Sequence, residues 1–512
     1  MKELSAELAE PFRIIFETSL RNGKVPDTWK QANVSAIFKK GDKKQPSNYR
    51  PVSLTSIPCK VMEKIVRQWI LDHMHRNNFL SQQQYGFLSG RSTTLQLLHV
   101  LDKWTASLDQ GKALDVVYID FMKAFDSVPH QRLLAKLENY GITGPVLQWI
   151  KSFLLGRTQR VGVNGTYSTQ SPVTSGIPQG SVLGPPLFVI YINDLPPEVL
   201  RALLYLFADD VKMFRVITSR LDVLALQAGL RNMEEWAIRW LMWIHPDKCG
   251  FLRVRGARQV EAEALDRDYT IKAGKRPESV PVKEVQQEKD LGVTFDSALS
   301  FDTHINNIVS KANQIAGIIR RSFTYLEPCN FVLMFKAFVR PHLEYAQAAW
   351  KPHLRKHIDL IERVQRRATK QLPGFKDLSY SERLQKLKLP TLAFRWLRGD
   401  MIEVFKILHK IYDEESSRNI LDLAGPSRTR GHPLKLAKHS FNKSVRQHYF
   451  GLRVVNHWNG LPASVVTAPT LNTFKNRLDQ TWNRHPLRFD PSESESYRAP
   501  TSRTELDIEA TT

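Results

Sequence analysis

The sequence predicts an α+β chain with a strand-containing first half followed by a helical second half. Short runs of β-branched and aromatic residues, such as Val116-Val117-Tyr118-Ile119, alternate with helical periodicities as far as Phe295. From Phe301 onward only long amphipathic patterns recur. A third observation concerns size and charge: 512 residues, 42% of them hydrophobic, suffice for roughly two to four domains with a sizeable core. The 73 Lys and Arg against 51 Asp and Glu leave a net charge of +22, which points to a polyanionic partner, nucleic acid by default. An anionic membrane surface would call for a basic amphipathic helix at a terminus or a lipidation motif, and neither is found. No apolar stretch reaches the roughly 20 residues of a membrane span, and Met1 to Leu20 lacks a signal peptide's charged start and apolar run, so the chain reads as intracellular. Cys59, Cys249 and Cys329 lie far apart, without the pairing of a zinc site or disulfide framework, and read as reduced thiols.

In order along the chain, Leu4, Leu8, Phe12, Ile15 and Leu20 recur near helical spacing until Val25-Pro26-Asp27 breaks the pattern. Val34 to Phe38 reads as a short strand leading into the basic turn Lys39-Lys40-Gly41-Asp42-Lys43-Lys44. Pro51 then fixes an extended backbone through Asn48-Tyr49-Arg50-Pro51-Val52-Ser53-Leu54. The turn is either a solvated loop or a phosphate contact; a cationic loop beside the fork-shaped guanidinium of Arg50 suits a triphosphate. Ile57 to His73 reads as a helix. The polar loop from Phe79 to Arg91 holds Gln84-Tyr85-Gly86-Phe87 and Gly90-Arg91-Ser92, where glycine implies close backbone approach. Thr93 to Leu108 returns to helical periodicity through Leu95, Leu98, Leu101 and Trp104.

The strand Val116 to Ile119 ends on Asp120 and continues Phe121-Met122-Lys123-Ala124-Phe125-Asp126. A carboxylate closing an apolar strand is held neutral, paired with a cation or bound to metal, because an unpaired buried charge is expensive. Gln131 to Leu155 reads as helix, and Arg157 to Thr169, with Val161, Val163 and Tyr167 alternating, as a hairpin. Ser175-Gly176-Ile177-Pro178-Gln179-Gly180-Ser181 is a Gly-bracketed loop opening the apolar helix Leu187 to Leu195; it is either an ordinary connection or a set of amides presented to a nucleotide. Leu203 to Phe207 and Val211 to Phe214 are strand-like and flank Ala208-Asp209-Asp210. Taken alone, this pair is either a turn in which Asp hydrogen-bonds its own backbone or a site for a divalent cation. Asp120 favours the second, since two strands ending in carboxylate can meet as neighbours in one sheet. Ser219 to Trp243 reads as an amphipathic helix over that sheet, and His245-Pro246-Asp247-Lys248-Cys249 turns into the strand Phe251 to Val254, carrying Lys248 beside the hairpin. Gly256 to Lys289 is hairpin or loop, leading to the apolar run Leu291 to Phe295.

Beyond it a second domain begins, with helices over His304 to Tyr325, Phe331 to Trp350 and Lys356 to Leu372. In the third, Ile358, Ile361 and Val364 form an apolar stripe, while Arg355, Lys356, Arg363, Arg366, Arg367 and Lys370 supply positive charge. That charge is a solvated face or a surface tracking a duplex backbone, with Trp350, Phe375 and Tyr380 as stacking or packing groups. Leu387 to Ile411 is helical, Pro426 to Lys443 basic and loop-like, and Trp458 and Trp482 anchor the last packed elements. The tail from Asp490 to Thr512 has the composition of a disordered segment. No internal repeat is found.

Asn48 to Leu54, Gln84 to Phe87, Tyr118-Ile119-Asp120 through Ala124-Phe125-Asp126, Gly176 to Ser181 and Phe207 to Asp210 form one ordered series. It resembles that of reverse transcriptases, most closely those of jockey-like, LINE-type elements, the non-LTR retrotransposons, over roughly Lys30 to Val293. His342-Leu343-Glu344-Tyr345-Ala346 through Trp350 is similar to the region that follows the thumb in the same elements. The resemblance implies a right-hand polymerase: fingers over 1–111, a palm of antiparallel sheet packed on helices over 112–295, a helical thumb over 296–385, a basic, mostly helical region over 386–489 and a disordered tail over 490–512. It implies an RNA-directed DNA polymerase that extends a primer 3′-hydroxyl with deoxynucleoside triphosphates on an RNA template. Asp120 and Asp209 match the family's metal-binding carboxylates and Asp210 a supporting ligand. Two Mg²⁺ ions about 3.5–4 Å apart, with Mn²⁺ as an alternative, would activate the primer hydroxyl and stabilise the leaving pyrophosphate. Phe125 falls where reverse transcriptases block a ribose 2′-hydroxyl. Gln179 and Gly180 would lie against the incoming nucleotide, Lys39 and Arg50 would hold its triphosphate, and Lys248 matches a candidate general acid.

The implied partners are RNA template, DNA primer and nucleotides, with the basic helix over 355–370 on nucleic acid, no membrane, and a nuclear location. Complete elements of this type usually carry an endonuclease ahead of the polymerase, and the residues before Lys30 could not encode one, so the chain reads as a fragment. Neither a zinc knuckle nor an acidic set for ribonuclease H is found. The alternative from another class is a nucleic-acid-binding derivative without synthesis, distinguished by salt-sensitive RNA binding alone. An RNA-dependent RNA polymerase is disfavoured by the bulk of Phe125.

Overall fold

The computed structural model describes residues 3–256, 266–272, 278–323, 325–425, 431–493 and 495. The first elements are α1 (Ser5–Arg21), β1 (Gln31–Phe38), β2 (Tyr49–Leu54), α2 (Ile57–Arg76), α3 (Thr93–Asp109), β3 (Ala113–Ile119), α4 (Ala124–Ser127), α5 (His130–Asn139) and α6 (Gly144–Leu154). There follow β4 (Thr158–Val163), β5 (Thr166–Tyr167), β6 (Ser171–Pro172), α7 (Gly184–Ile192), α8 (Leu195–Glu198), β7 (Leu203–Phe207), β8 (Asp210–Ile217) and α9 (Arg220–Trp240). Short strands come next: β9 (Gly250–Val254), β10 (Thr270–Lys272), β11 (Ser279–Pro281), β12 (Lys283–Val285), β13 (Gln287–Asp290) and β14 (Val293–Asp296). The rest is helical, with α10 (Asp302–Ser322), α11 (Pro328–Met334), α12 (Arg340–Glu344), α13 (Gln347–Trp350), α14 (Arg355–Lys370), α15 (Tyr380–Leu387), α16 (Leu392–Leu408) and short helices as far as Arg488. These elements form two compact units: Met1–Leu88, Val116–Phe251 and Leu265–Glu284 in the first, and Ser89–Asp115, Leu252–Ala264 and Val285–Thr512 in the second.

In the first unit, β1 and β2 make an antiparallel hairpin in which Ile37 faces Arg50, and β4 runs parallel to β1 with Val34 opposite Val161. A second sheet, of which β7 and β8 belong wholly to this unit, has the strand order β12-β9-β3-β8-β7. All seven residues of β3 are buried, which explains its unbroken apolar run: a central strand covered on both faces has no polar side to alternate with. The core beneath is dense in large side chains, with Trp149, Phe153, Phe188, Met233 and Trp236 all at 0% exposure. Helix α9 starts at a capping box made by Ser219 and Asp222. Burial alone would raise the pKa of Asp222, but hydrogen bonds from Thr218, Arg215 and Ser219 hold it well below the usual carboxylate range. Where Gln131 to Leu155 reads as one helix from the sequence, α5 and α6 are separate. Gly141 at φ +79° and Gly144 at φ +63° take left-handed backbone that ends the first helix and restarts the second at Pro145.

In the second unit the stretch from Phe331 to Trp350 is likewise not continuous. Pro341 has no N–H for the carbonyl of Ala337, the ladder widens into a π-turn over Phe335–Val339, and Ala346 at φ +49° separates α12 from α13. The segment His342 to Trp350 is a structural node. The Tyr345 hydroxyl donates to the carbonyl of Leu291 at 3.0 Å, Trp350 Nε1 donates to the Tyr345 carbonyl at 2.8 Å, and Arg395 grips Glu344 with two bonds of 2.9 Å. Leu291-Gly292 is the two-residue turn joining β13 to β14. Trp350 is 1% exposed and the Tyr380 hydroxyl donates to buried Glu362 at 2.5 Å, so both are packing groups. Helix α14 buries Ile361 and Val364 and exposes Arg363, Arg366, Arg367 and Lys370. Trp458 and Trp482 are buried.

The expected hairpin or loop over Gly256 to Lys289 includes the antiparallel pair β10–β11, with Ile271 opposite Val280; residues 257–265 and 273–277 lie outside the described residues. So do 426–430 of the basic loop and all of the tail after Glu493 except Glu495. Among the described residues no helix is long and apolar enough to cross a membrane. Cys59, Cys249 and Cys329 are free thiols.

Candidate active site

Strands β7 and β8 pair from Leu203–Phe214 to Phe207–Asp210, leaving Ala208-Asp209 as a two-residue connection. Such turns need positive φ, which glycine or asparagine normally supplies; here Ala208 takes φ +56° with its methyl buried in the core. The turn sets Asp209 half-buried and Asp210, the first residue of β8, exposed.

Asp120 follows the last residue of β3, the neighbour of β8 in the sheet. Its carbonyl accepts from the backbone N–H of His245 at 2.8 Å, and Phe121 bridges Ile244, which tethers the segment carrying Lys248. Lys248 Nζ donates to Asp120 Oδ2 at 2.7 Å, so the strand-end carboxylate is paired with a cation. Asp209 senses the same neighbourhood. Burial raises its pKa, its own backbone N–H opposes this, Asp120 pushes it further up, and Arg50 and Lys39 pull it down. The hairpin register explains how both cations act together: Ile37 faces Arg50 and the Lys39 N–H donates to the Asn48 carbonyl, so Lys39 and Arg50 share one face of β1–β2. Asp120, Asp209, Lys39, Arg50 and Lys248 thus share one electrostatic neighbourhood. Asp210 stands on the exposed side of the turn.

Phe125 lies flat against Phe188, ring centroids 4.5 Å apart, with Phe87 edge-on at 6.2 Å. The loop after it is clamped on two sides. The Gln179 side chain donates to Asp126 Oδ1 at 2.9 Å, and its carbonyl accepts from the Ser53 N–H of β2 at 2.7 Å. Gly180, at φ +107°, sits where a Cβ would come within 2.7 Å of the Ser53 carbonyl, so both conformation and space demand glycine.

The family model for reverse transcriptase (RNA-dependent DNA polymerase) matches residues 38–295, just over half of the 512-residue chain. The chain belongs to the reverse transcriptase family. Among its relatives are the probable RNA-directed DNA polymerase from transposon X-element of Drosophila melanogaster, 28% identical over 73% of this chain and 41% of the relative, and the RNA-directed DNA polymerase from mobile element jockey of the same organism, 27% identical over 70% and 39%. The chain therefore spans about two fifths of the length of these curated relatives. The resemblance to jockey-like, LINE-type reverse transcriptases is borne out. Among solved structures, a telomerase from Candida albicans in complex with a fragment of telomeric RNA aligns at 10% identity with a TM-score of 0.40, covering 73% of this chain and 68% of that one.

Two side chains of the reverse transcriptase segment hold backbone in place: residue patterns did not single out Glu63, and they gave Gln84 only as the first residue of Gln84-Tyr85-Gly86-Phe87. Glu63 of α2 is completely buried, and its Oε2 accepts from the backbone N–H groups of Val182 and Leu183 at 2.6 and 3.0 Å, holding the start of α7. Burial pushes its pKa up against the pull of those amides. The available signal was a lone carboxylate on the apolar side of a helix. Gln84, also fully buried, accepts from the N–H groups of Gly86 and Ala208 through one oxygen, at 2.7 and 2.9 Å.

Proposed function

We propose that this chain is the polymerase portion of a non-LTR retrotransposon protein, an RNA-directed DNA polymerase that extends a primer 3′-hydroxyl with deoxynucleoside triphosphates on an RNA template. The carrying observation is the neighbourhood in which Asp120 and Asp209 stand at the ends of the adjacent strands β3 and β8 while Lys39 and Arg50 act on Asp209. Fingers, palm and thumb would correspond to 1–111, 112–295 and 296–385, with the exposed cations of α14 on duplex phosphates.

Divalent cations fit these residues. Burial and a like charge both penalise ionised Asp209, a penalty that a bound cation would remove. A few carboxylates would leave the rest of each ion's coordination to phosphates or water, as Mg²⁺ prefers in nucleotide sites. Asp120 and Asp209 would hold the ions, with Asp210 in support. When bound, Mg²⁺ would supply Lewis-acid activation of the primer hydroxyl and neutralise charge on the triphosphate.

The side chains divide the remaining work. Lys39 and Arg50 bind the triphosphate, the forked guanidinium of Arg50 taking two oxygens at once. Phe125, braced by Phe188 and Phe87, fills the space a 2′-hydroxyl would need. Gln179 and Gly180 form the floor beneath the nucleotide. Lys248, 58% exposed and tied to Asp120 by an ion pair of the weak surface kind, about 0–1 kcal/mol, exchanges that partner for the departing pyrophosphate and offers it the proton on Nζ.

The test is primer extension on poly-rA with oligo-dT, comparing wild type with the Asp209→Ala, Asp210→Ala double variant and measuring primer–template binding in parallel. Both proteins should bind, and only wild type should synthesise DNA. Equal synthesis would remove the catalytic assignment, and binding without synthesis by wild type would favour a non-catalytic binder.

A further inference from the structure

We propose that Gln84 is a positioning residue for the catalytic turn: its buried carboxamide fixes the backbone from which Asp209 projects. This rests on the polymerase reading above. Three independent contacts tie the Gln83–Gly86 segment to the end of β7. The N–H of Leu206 donates to the Gln83 carbonyl at 2.9 Å, the N–H of Tyr85 donates to the Leu206 carbonyl at 2.8 Å, and Gln84 Oε1 accepts from the N–H of Ala208 at 2.9 Å while also accepting from Gly86 at 2.7 Å.

The third contact differs from the first two. The Leu206 contacts form a short backbone bridge that any residues could make, whereas the Ala208 contact needs a side-chain acceptor of one particular length. It falls on the residue held at φ +56°, immediately before Asp209. An alanine in left-handed backbone has a competing conformation to relax into, so something must hold it. The buried oxygen of Gln84 does so, because leaving the Ala208 N–H without an acceptor inside the core is unfavourable. Gly86 completes the device. A Cβ there would stand 2.4 Å from the Ala208 nitrogen and 3.0 Å from the Phe207 carbonyl carbon, so only glycine lets the two backbones approach this closely.

The consequence is kinetic. A turn released by even an ångström misplaces the Asp209 carboxylate relative to Asp120, and errors of that size cost up to about 100-fold in rate. Gln84 is completely buried and offers no surface to primer–template or triphosphate, so kcat should fall while KM for the nucleotide holds. Glutamate offers a built-in control. Glu63 shows that a buried carboxylate in this unit accepts from two backbone amides at once, so Gln84→Glu keeps the acceptor that Gln84→Met removes.

The experiment uses the full chain and two readouts, amide hydrogen exchange of the segment containing Ala208 and steady-state primer extension. For Gln84→Met the expected result is faster exchange at Ala208 with the flanking β8 amides unchanged, kcat lower by roughly 10- to 100-fold, and nucleotide KM within about threefold of wild type. Gln84→Glu should recover most of the protection and rate. Unchanged exchange and kcat in Gln84→Met, or equal damage in Gln84→Glu, would overturn the proposal. Should Gln84→Met fail to fold, Gln84→Asn, one methylene too short to reach Ala208, carries the same expectations. If wild type makes no DNA the polymerase reading fails, yet the exchange measurement still judges Gln84.

Discussion

Replacing Phe125 by alanine separates stability from selectivity in one variant. The ring lies flat on Phe188 and edge-on to Phe87, and each aromatic pair contributes about 0.5–1.5 kcal/mol beyond area burial. Half-burial removes on the order of 100 Å² of apolar surface from water, worth about 2.5 kcal/mol. Their sum is about 3.5–5.5 kcal/mol, and partial collapse of Phe87 into the gap brings the expected destabilisation to about 2–4 kcal/mol. Selectivity moves by a different mechanism. With the ring gone a 2′-hydroxyl meets space instead of carbon, and a steric difference of this kind is worth about 1–3 kcal/mol, so kcat/KM for ribonucleotides should rise about 10- to 200-fold relative to deoxynucleotides. Competing incorporation of dTTP and rUTP on poly-rA measures the ratio, and denaturant unfolding measures the stability. Unaltered ribonucleotide exclusion in a folded Phe125→Ala protein would refute the assignment of that ring as the sugar filter.

Further perturbations probe the charges and the floor. The pKa of Asp209 is raised in the folded chain, so its stabilising contribution is complete below the unfolded value of about 3.9 and is lost as pH rises through the folded one. Asp209→Asn should therefore raise the melting temperature at pH 7 without divalent cations, change it little below pH 4, and abolish synthesis. A melting temperature at pH 7 that falls would contradict that sign. Lys248→Met should alter stability by less than about 1 kcal/mol, as expected for an exposed pair, while slowing pyrophosphate release or chemistry by about 10²–10⁴-fold if Nζ delivers the proton. An unchanged pH–rate profile would exclude that role. Gly180→Ala places a Cβ 2.7 Å from the Ser53 carbonyl at φ +107° and should cost about 1–3 kcal/mol along with a higher nucleotide KM, checked by thermal melting and steady-state kinetics.

Legibility in the sequence followed the range of each interaction. Asp120 and Asp209 stood out because a carboxylate at the end of an apolar strand is anomalous within a window of six or seven residues. Phe125, Gln179 and Gly180 came with the motif order. Glu63 did not stand out, and Gln84 came only as a member of its motif without a role, because Glu63 accepts from Val182 and Leu183 and Gln84 from Ala208, backbone amides more than a hundred positions away that no side-chain pattern encodes. The division between α5 and α6 was written in Gly141 and Gly144-Pro145, but apolar periodicity on both sides masked it. The π-turn ahead of Pro341 was hidden in the same way. The grouping of residues 89–115 with 285–512 depends on long-range packing that no local signal announces.

The most direct measurement is templated incorporation of labelled dTTP onto oligo-dT annealed to poly-rA in Mg²⁺ buffer, by wild type and by Asp120→Asn, with folding of both checked by circular dichroism. Polymerisation through the Asp120–Asp209 pair requires Mg²⁺-dependent extension by wild type, abolished by chelation, and none by Asp120→Asn. Equal extension by the two proteins, or extension insensitive to chelation, would contradict it.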